Sequence, residues 1–315
     1  HYCQTNYTLI QRTVNGLAQR DPDAPLAEEQ IRLAGMTHTF YGDAFDVISR
    51  RAPTYRWALP GPFVDGYSGA APDAPRDMKA VSERFLPFRR ASSGLNSTAL
   101  DMAAWLIAID QGKLLSPSMR EAMWTPVPFS GGEAGQWGLG WEVYERGKGR
   151  AVGMTGGGRA AAFYYPQDRV GIVILTNLAG AFPEDMVDKI ATLFAPNLVL
   201  SGVPALRILL KEQGYDHAHD AAKQVEARDP GLKWPEMELN DWGYRLLSTG
   251  RGRDAVAILK FTADKFPGSA NAHDSLAQAY RVTGDIPGSI NEYRRVMELD
   301  PSAKDAKRRL AEMAG

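Results

Sequence analysis

The residues best suited to chemistry gather around one stretch, Ala151-Val152-Gly153-Met154-Thr155-Gly156-Gly157-Gly158-Arg159. Three consecutive glycines present no Cβ, so a ligand can lie close against their backbone. A tight turn between two strands asks for the same residues. Ser92 and Ser93 offer hydroxyls and His38 an imidazole that can act as a general base. Loop and cap positions account for the serines, and a structural role accounts for the histidine. His217 and His219 lie two apart and cannot share a helix face, so no metal pair is expected there. The glycine triplet lacks the Lys-Ser or Lys-Thr of a phosphate loop, and Gly138-Leu139-Gly140 lacks the strand-to-helix setting of a dinucleotide loop.

The elements that position the glycines follow from hydrophobic pattern. Ala160 to Tyr165 and Val170 to Asn177 are apolar runs separated by Pro166-Gln167-Asp168-Arg169, which predicts a hairpin. The second run is apolar at nearly every position, which predicts a strand buried on both faces. Trp137 to Tyr144 alternates and predicts a strand feeding residues 151–156. Helices are expected over Thr8–Leu17, Leu26–Leu33 and Phe182–Phe194. Another should begin at a Ser97 or Thr98 cap, with Asp101 in its first turn, and stop at Gly112. Residues 41–90 are rich in Pro, Gly and Arg and predict long surface loops.

Four stretches, in order, resemble the serine β-lactamase and penicillin-binding protein family. Tyr2-Cys3-Gln4-Thr5-Asn6-Tyr7 is similar to its Tyr-x-Asn signature, with Gln4 where asparagine is usual. Ala34-Gly35-Met36-Thr37-His38-Thr39 resembles its Leu-Gly-Met-x-x-Thr segment. Gly94-Leu95-Asn96-Ser97-Thr98-Ala99-Leu100-Asp101-Met102, then Gly112-Lys113-Leu114-Leu115-Ser116, resembles a helix of the family. Gly138-Leu139-Gly140-Trp141 precedes Met154-Thr155-Gly156, which matches the family's Lys/His-Thr-Gly triad except at Met154. No serine of the chain is followed three positions later by lysine, so the family's Ser-x-x-Lys nucleophile does not occur within these residues.

The resemblance implies an α+β β-lactamase/transpeptidase-like domain over residues 1–198, an antiparallel sheet flanked by helices with its active site at the sheet edge. A chain that opens at His1, directly on a motif, reads as the C-terminal portion of such a domain, its nucleophile and first strands lying upstream. The implied activity is acyl transfer by a serine hydrolase. Tyr2 is then the proton carrier and the Gly157 N–H half of an oxyanion hole. Gln4, Met154, Thr155, Gly156 and Gly158 are the expected substrate contacts. The family needs neither cofactor nor metal, takes lactams, peptides or esters, and is commonly exported, which implies a periplasmic or otherwise exported location. The departures at Gln4 and Met154 leave a second reading: a catalytically silent relative that binds partners.

From Ser201 onward the pattern changes. Residues 205–228 predict a helix pair around Gly214, within a linking stretch 199–236 that reads as a degenerate repeat. Over 237–315, residues recur at a step of 34: Trp242 with Leu276, Leu246 with Tyr280, Gly250 with Gly284, Leu259 with Tyr293, Pro267 with Pro301. This resembles the tetratricopeptide arrangement and implies an all-α solenoid capped by Ala303–Met313. Its concave groove is a candidate peptide site; a packing module is the alternative. Composition bounds the rest. The 315 residues carry a net charge of −1, which gives no cause to expect nucleic acid, and no apolar run has transmembrane length. Cys3 is the lone cysteine, so no intrachain disulfide can form.

Overall fold

A computed structural model describes residues 3–24, 26–61, 63–69, 74, 76–128, 135–147 and 149–314. The chain divides into two compact units: residues 1–56 with 80–199, and residues 57–79 with 200–315. The segment 57–79 thus interrupts the first unit in sequence and belongs to the second in space.

In chain order the elements up to residue 199 are α1 (Gln4–Leu17), α2 (Glu28–Ala34), β1 (Phe40–Tyr41), β2 (Thr54–Ala58), β3 (Phe63–Val64), β4 (Tyr67–Ser68), β5 (Asp77–Val81), β6 (Leu95–Asn96), α3 (Ala99–Asp110), α4 (Pro117–Met123), β7 (Glu142–Arg146), β8 (Gly149–Gly156), β9 (Ala160–Tyr165), β10 (Val170–Leu175), β11 (Leu178–Ala179) and α5 (Glu184–Ala191). The main sheet of the first unit is antiparallel, in the order β10-β9-β8-β7. Alternation along the strands feeds two apolar layers. Ala151, Ala161, Phe163, Tyr165 and Ile172 pack with Val187 and Ala191 of α5 on one face. Val152 and Tyr164 pack with Leu106, Ile109, Trp124 and Trp141 on the other, beneath α3. A buried ion pair ties the sheet to α5. Arg146 Nε donates to Asp188 Oδ1 at 2.8 Å, and the Tyr165 hydroxyl donates to the same oxygen at 2.8 Å.

Several expectations need correction. The run from Val170 is covered by α3 and α5, but β10 stands at the end of the sheet and stops at Leu175. Its free edge leaves only Ile172 fully buried. The strand expected from Trp137 starts at Glu142, because Gly138-Leu139-Gly140 forms a turn with Gly140 at φ 82°. The closing helix is shorter than Phe182–Phe194, since Phe182 itself has φ 45°. Residues 41–90 are not loops throughout; they hold β1 to β5. α3 follows expectation: Thr98 caps it by accepting the Asp101 N–H at 3.1 Å, and Gly112 follows in the left-handed region at φ 74°.

The second unit is all-α apart from its share of 57–79. Its helices are α6 (Gly202–Gln213), α7 (Ala218–Arg228), α8 (Glu236–Ser248), α9 (Gly252–Lys265), α10 (Ala270–Thr283), α11 (Ile286–Leu299) and α12 (Lys304–Ala314). At the 34-residue step two apolar pairs share an environment, whereas Leu246 is buried and Tyr280 only half-buried. Trp242 and Leu276 are buried, as are Leu259 and Tyr293, and Gly250 and Gly284 end their helices at φ 70° and 86°. A Cβ on Gly243 would meet Leu259 at 2.5 Å, so α8 and α9 approach where only glycine fits.

Candidate active site

The glycine stretch forms the β8–β9 hairpin. Its turn is closed by the Arg159 N–H, which donates to the Gly156 carbonyl at 2.9 Å. Gly157 and Gly158 both take left-handed φ, 55° and 62°. A Cβ on Gly158 would stand 3.0 Å from Phe182 Cε1 and 3.2 Å from the Gly180 nitrogen, and its carbonyl accepts the Phe182 N–H at 3.0 Å. Gly156 is looser, with only Ala160 Cβ at 3.5 Å. Gly158→Ala is therefore expected to cost roughly 1–3 kcal/mol, while Gly156→Ala costs about 1 kcal/mol or less. Denaturant midpoints at unchanged slope check this; equal losses for the two variants would refute it.

β8 lies inside the sheet, not at its edge as the resemblance led us to expect. β7 is the shorter strand and pairs only from Gly149 to Gly153. Met154, Thr155 and Gly156 continue to pair with β9 alone. The end of β8 is thus an edge three residues long. Gly156 and Gly157 are exposed there, with Met154 and Thr155 half-buried.

Beside this edge lies a cation. The Arg159 side chain turns back so that Nη2 would sit 3.2 Å from a Cβ on Gly157. Its Nη1 donates to Glu83 Oε2 at 2.7 Å and reaches Thr54 Oγ1 at 3.4 Å. Glu83 was not singled out in the sequence. It lies 76 residues from its partner, and its neighbours form no pattern that marks it. Next to it the Ala44 N–H donates to the Glu83 carbonyl at 3.0 Å, and Asp43 braces the same segment. Its carboxylate accepts the N–H groups of Phe45 (2.9 Å) and Phe85 (2.8 Å), which keep it below the usual carboxylate range.

The remaining predicted residues fall as follows. Tyr2 lies outside the described residues. Gln4 stands in the first turn of α1, which begins before the expected Thr8, and its Oε1 accepts from Arg89 Nη2 at 3.4 Å. Met154 to Gly158 are brought together on one strand end and turn; no hydrogen bond among the described residues joins Gln4 to them. α1 also meets the 138–141 turn, where a Cβ on Gly140 would lie 3.7 Å from the Tyr7 hydroxyl. His38 is structural. Its N–H donates to buried Asp101 Oδ2 at 2.7 Å, Thr39 Oγ1 donates to the same oxygen at 2.8 Å, and the imidazole is exposed. Ser92 Oγ donates to the Arg89 carbonyl at 3.2 Å, as a turn serine does.

A cleft of about 430 Å³ opens elsewhere, between α3 and β10, lined by Leu106, Asp110, Tyr164 and Arg169 among others. Tyr164 lies toward the end of β9 away from the glycine turn. Its hydroxyl donates to Asp110 Oδ1 at 2.5 Å, and burial, reinforced by that carboxylate, pushes its pKa up to about 12. That phenol is tied to Asp110 and is not brought together with the residues of the glycine turn. Among the described residues no cluster of His, Cys, Asp and Glu could hold a metal, and no helix is long and apolar enough to cross a membrane.

Comparison with known proteins completes the picture. A penicillin-binding protein from Bacillus halodurans is similar at 17% identity and a TM-score of 0.46, the match covering 62% of this chain and 56% of that one. The chain thus spans just over half of that protein's length. No curated protein matches. Among family models, that of the β-lactamases matches residues 1–195, well over half of the chain. The chain belongs to the β-lactamase family.

Proposed function

We propose that this protein is a serine hydrolase working through an acyl-enzyme, acting on an amide, lactam or ester carbonyl. Members of its family are generally serine hydrolases. The observation that carries the reading is the free end of β8, where exposed backbone at Gly156 and Gly157 lies open beside the Arg159 cation. The Gly157 N–H would donate to the oxyanion, Thr155 and Gly156 would align the substrate, and Gln4 would bind its amide. Tyr2 would carry the proton between a serine nucleophile supplied from outside these 315 residues and the leaving group. An exported location goes with this reading. The α8–α12 region we read as tetratricopeptide repeats, supported by the 34-residue step and the paired glycine ends of α8 and α10. The second reading, a silent relative that binds partners through these repeats, draws on the departures at Gln4 and Met154.

Met154 decides substrate preference in this scheme. A lysine or histidine there would lower the phenol pKa and offer a donor to an anionic substrate; methionine does neither. Arg159 compensates in part at best, because its charge is already paired with Glu83. The expected result is better turnover of a neutral nitrophenyl ester than of a carboxylate-bearing chromogenic cephalosporin. Met154→Lys should raise cephalosporin turnover about tenfold, the rate equivalent of one charge-assisted hydrogen bond. Vigorous cephalosporin hydrolysis by the unaltered protein, with no gain in the variant, would show that Met154 is no handicap. Hydrolysis of neither substrate by the nucleophile-bearing protein would favour the silent reading.

A further inference from the structure

Residues 63–68 form a two-residue β-hairpin. Phe63 pairs with Ser68 and Val64 with Tyr67, and Asp65 and Gly66 turn the corner at φ 53° and 85°. The hairpin packs on the helices of its own unit. Val64 and Tyr67 rest on the apolar cluster that holds Trp242, Leu246 and Leu276, and the Tyr67 ring lies 6.1 Å from that of Tyr244 on α8. Asp65 meets two guanidinium groups. Arg281 Nη1 of α10 reaches its two oxygens at 3.4 and 3.3 Å, and Arg309 Nη1 of α12 donates to Oδ2. All three side chains are less than one-fifth exposed. Glu312 accepts from Arg281 Nη2 at 3.0 Å, and Asp274 is a further acid near Arg309 and Asp65.

A carboxylate held by two guanidinium groups at the tip of a two-residue turn, with a tyrosine beside it, is a recognition geometry. We infer that the face of α8, α10 and α12 is a docking site for an aspartate-glycine β-turn, and that its resident occupant is the chain's own hairpin. The helical unit is then closed in cis, and an acidic-turn peptide gains the face only when residues 63–68 leave it. This inference is independent of the hydrolase reading. The hairpin competes at the effective concentration of a short tether, on the order of millimolar.

The probe is a fluorescent peptide of residues 60–69, cyclised to fix the turn, titrated against the full protein by anisotropy. Asp65→Asn, which weakens the resident turn, should bind it at least about tenfold tighter than the unaltered protein. Adding Arg281→Ala or Arg309→Ala should abolish the gain, and a peptide with Asn for Asp should bind about tenfold more weakly. A variant with 63–68 replaced by a Gly-Ser linker, its helix content checked by circular dichroism, should bind most tightly. Hydrogen exchange at amides 63–68 should quicken at least about tenfold in Asp65→Asn, a readout that needs no peptide. The inference is overturned if exchange there is unchanged, if the folded linker variant ignores the peptide, or if the gain survives loss of either arginine.

Discussion

Tyr2→Phe is expected to lower hydrolysis of an activated ester by about 10²–10⁴-fold in the protein that carries its serine nucleophile. The substitution keeps the ring and removes only the hydroxyl. If the phenol moves the proton between serine and leaving group, nothing else on the ring can do so. The loss should fall on kcat more than on KM, because a proton in flight is an interaction of the transition state. Unchanged turnover in Tyr2→Phe would remove Tyr2 from the mechanism.

What the sequence made legible, and what it hid, divides along one physical line. Features set by neighbours in the chain were readable. Thr98, Asp101 and Gly112 mark the two ends of α3 because capping and left-handed closure are local. The glycine triplet announced a turn, and Gly157 and Gly158 make it. Features set by distant partners were not. Glu83 reaches Arg159 only through the fold. The shortness of β7, which turns the last residues of β8 into an edge, comes from the Gly138–Gly140 turn and not from any break in alternation. Asp65-Gly66 between Phe63-Val64 and Tyr67-Ser68 did carry a local hairpin signal. It is easily lost among the prolines and glycines of 41–90, and its docking partners lie more than 200 residues away.

The helical unit offers the largest stability effect. Trp242→Ala should cost roughly 3–5 kcal/mol, as large-to-small changes at buried aromatics do. Trp242 is 1% exposed and belongs to the apolar cluster of the helical unit. The Tyr215 ring packs at 5.8 Å between centroids, and the Arg207 guanidinium lies 5.2 Å over its face. Removing the indole leaves a cavity and takes from Arg207 a surface that offsets the cost of burying its charge. Leu276, 34 positions on, is also buried but smaller, and Leu276→Ala should cost about 2–5 kcal/mol. Helical ellipticity during denaturation reads both. Midpoints that barely move in either variant would mean that the 34-residue recurrence does not mark the contacts between stacked helices, and the repeat reading would fall with them.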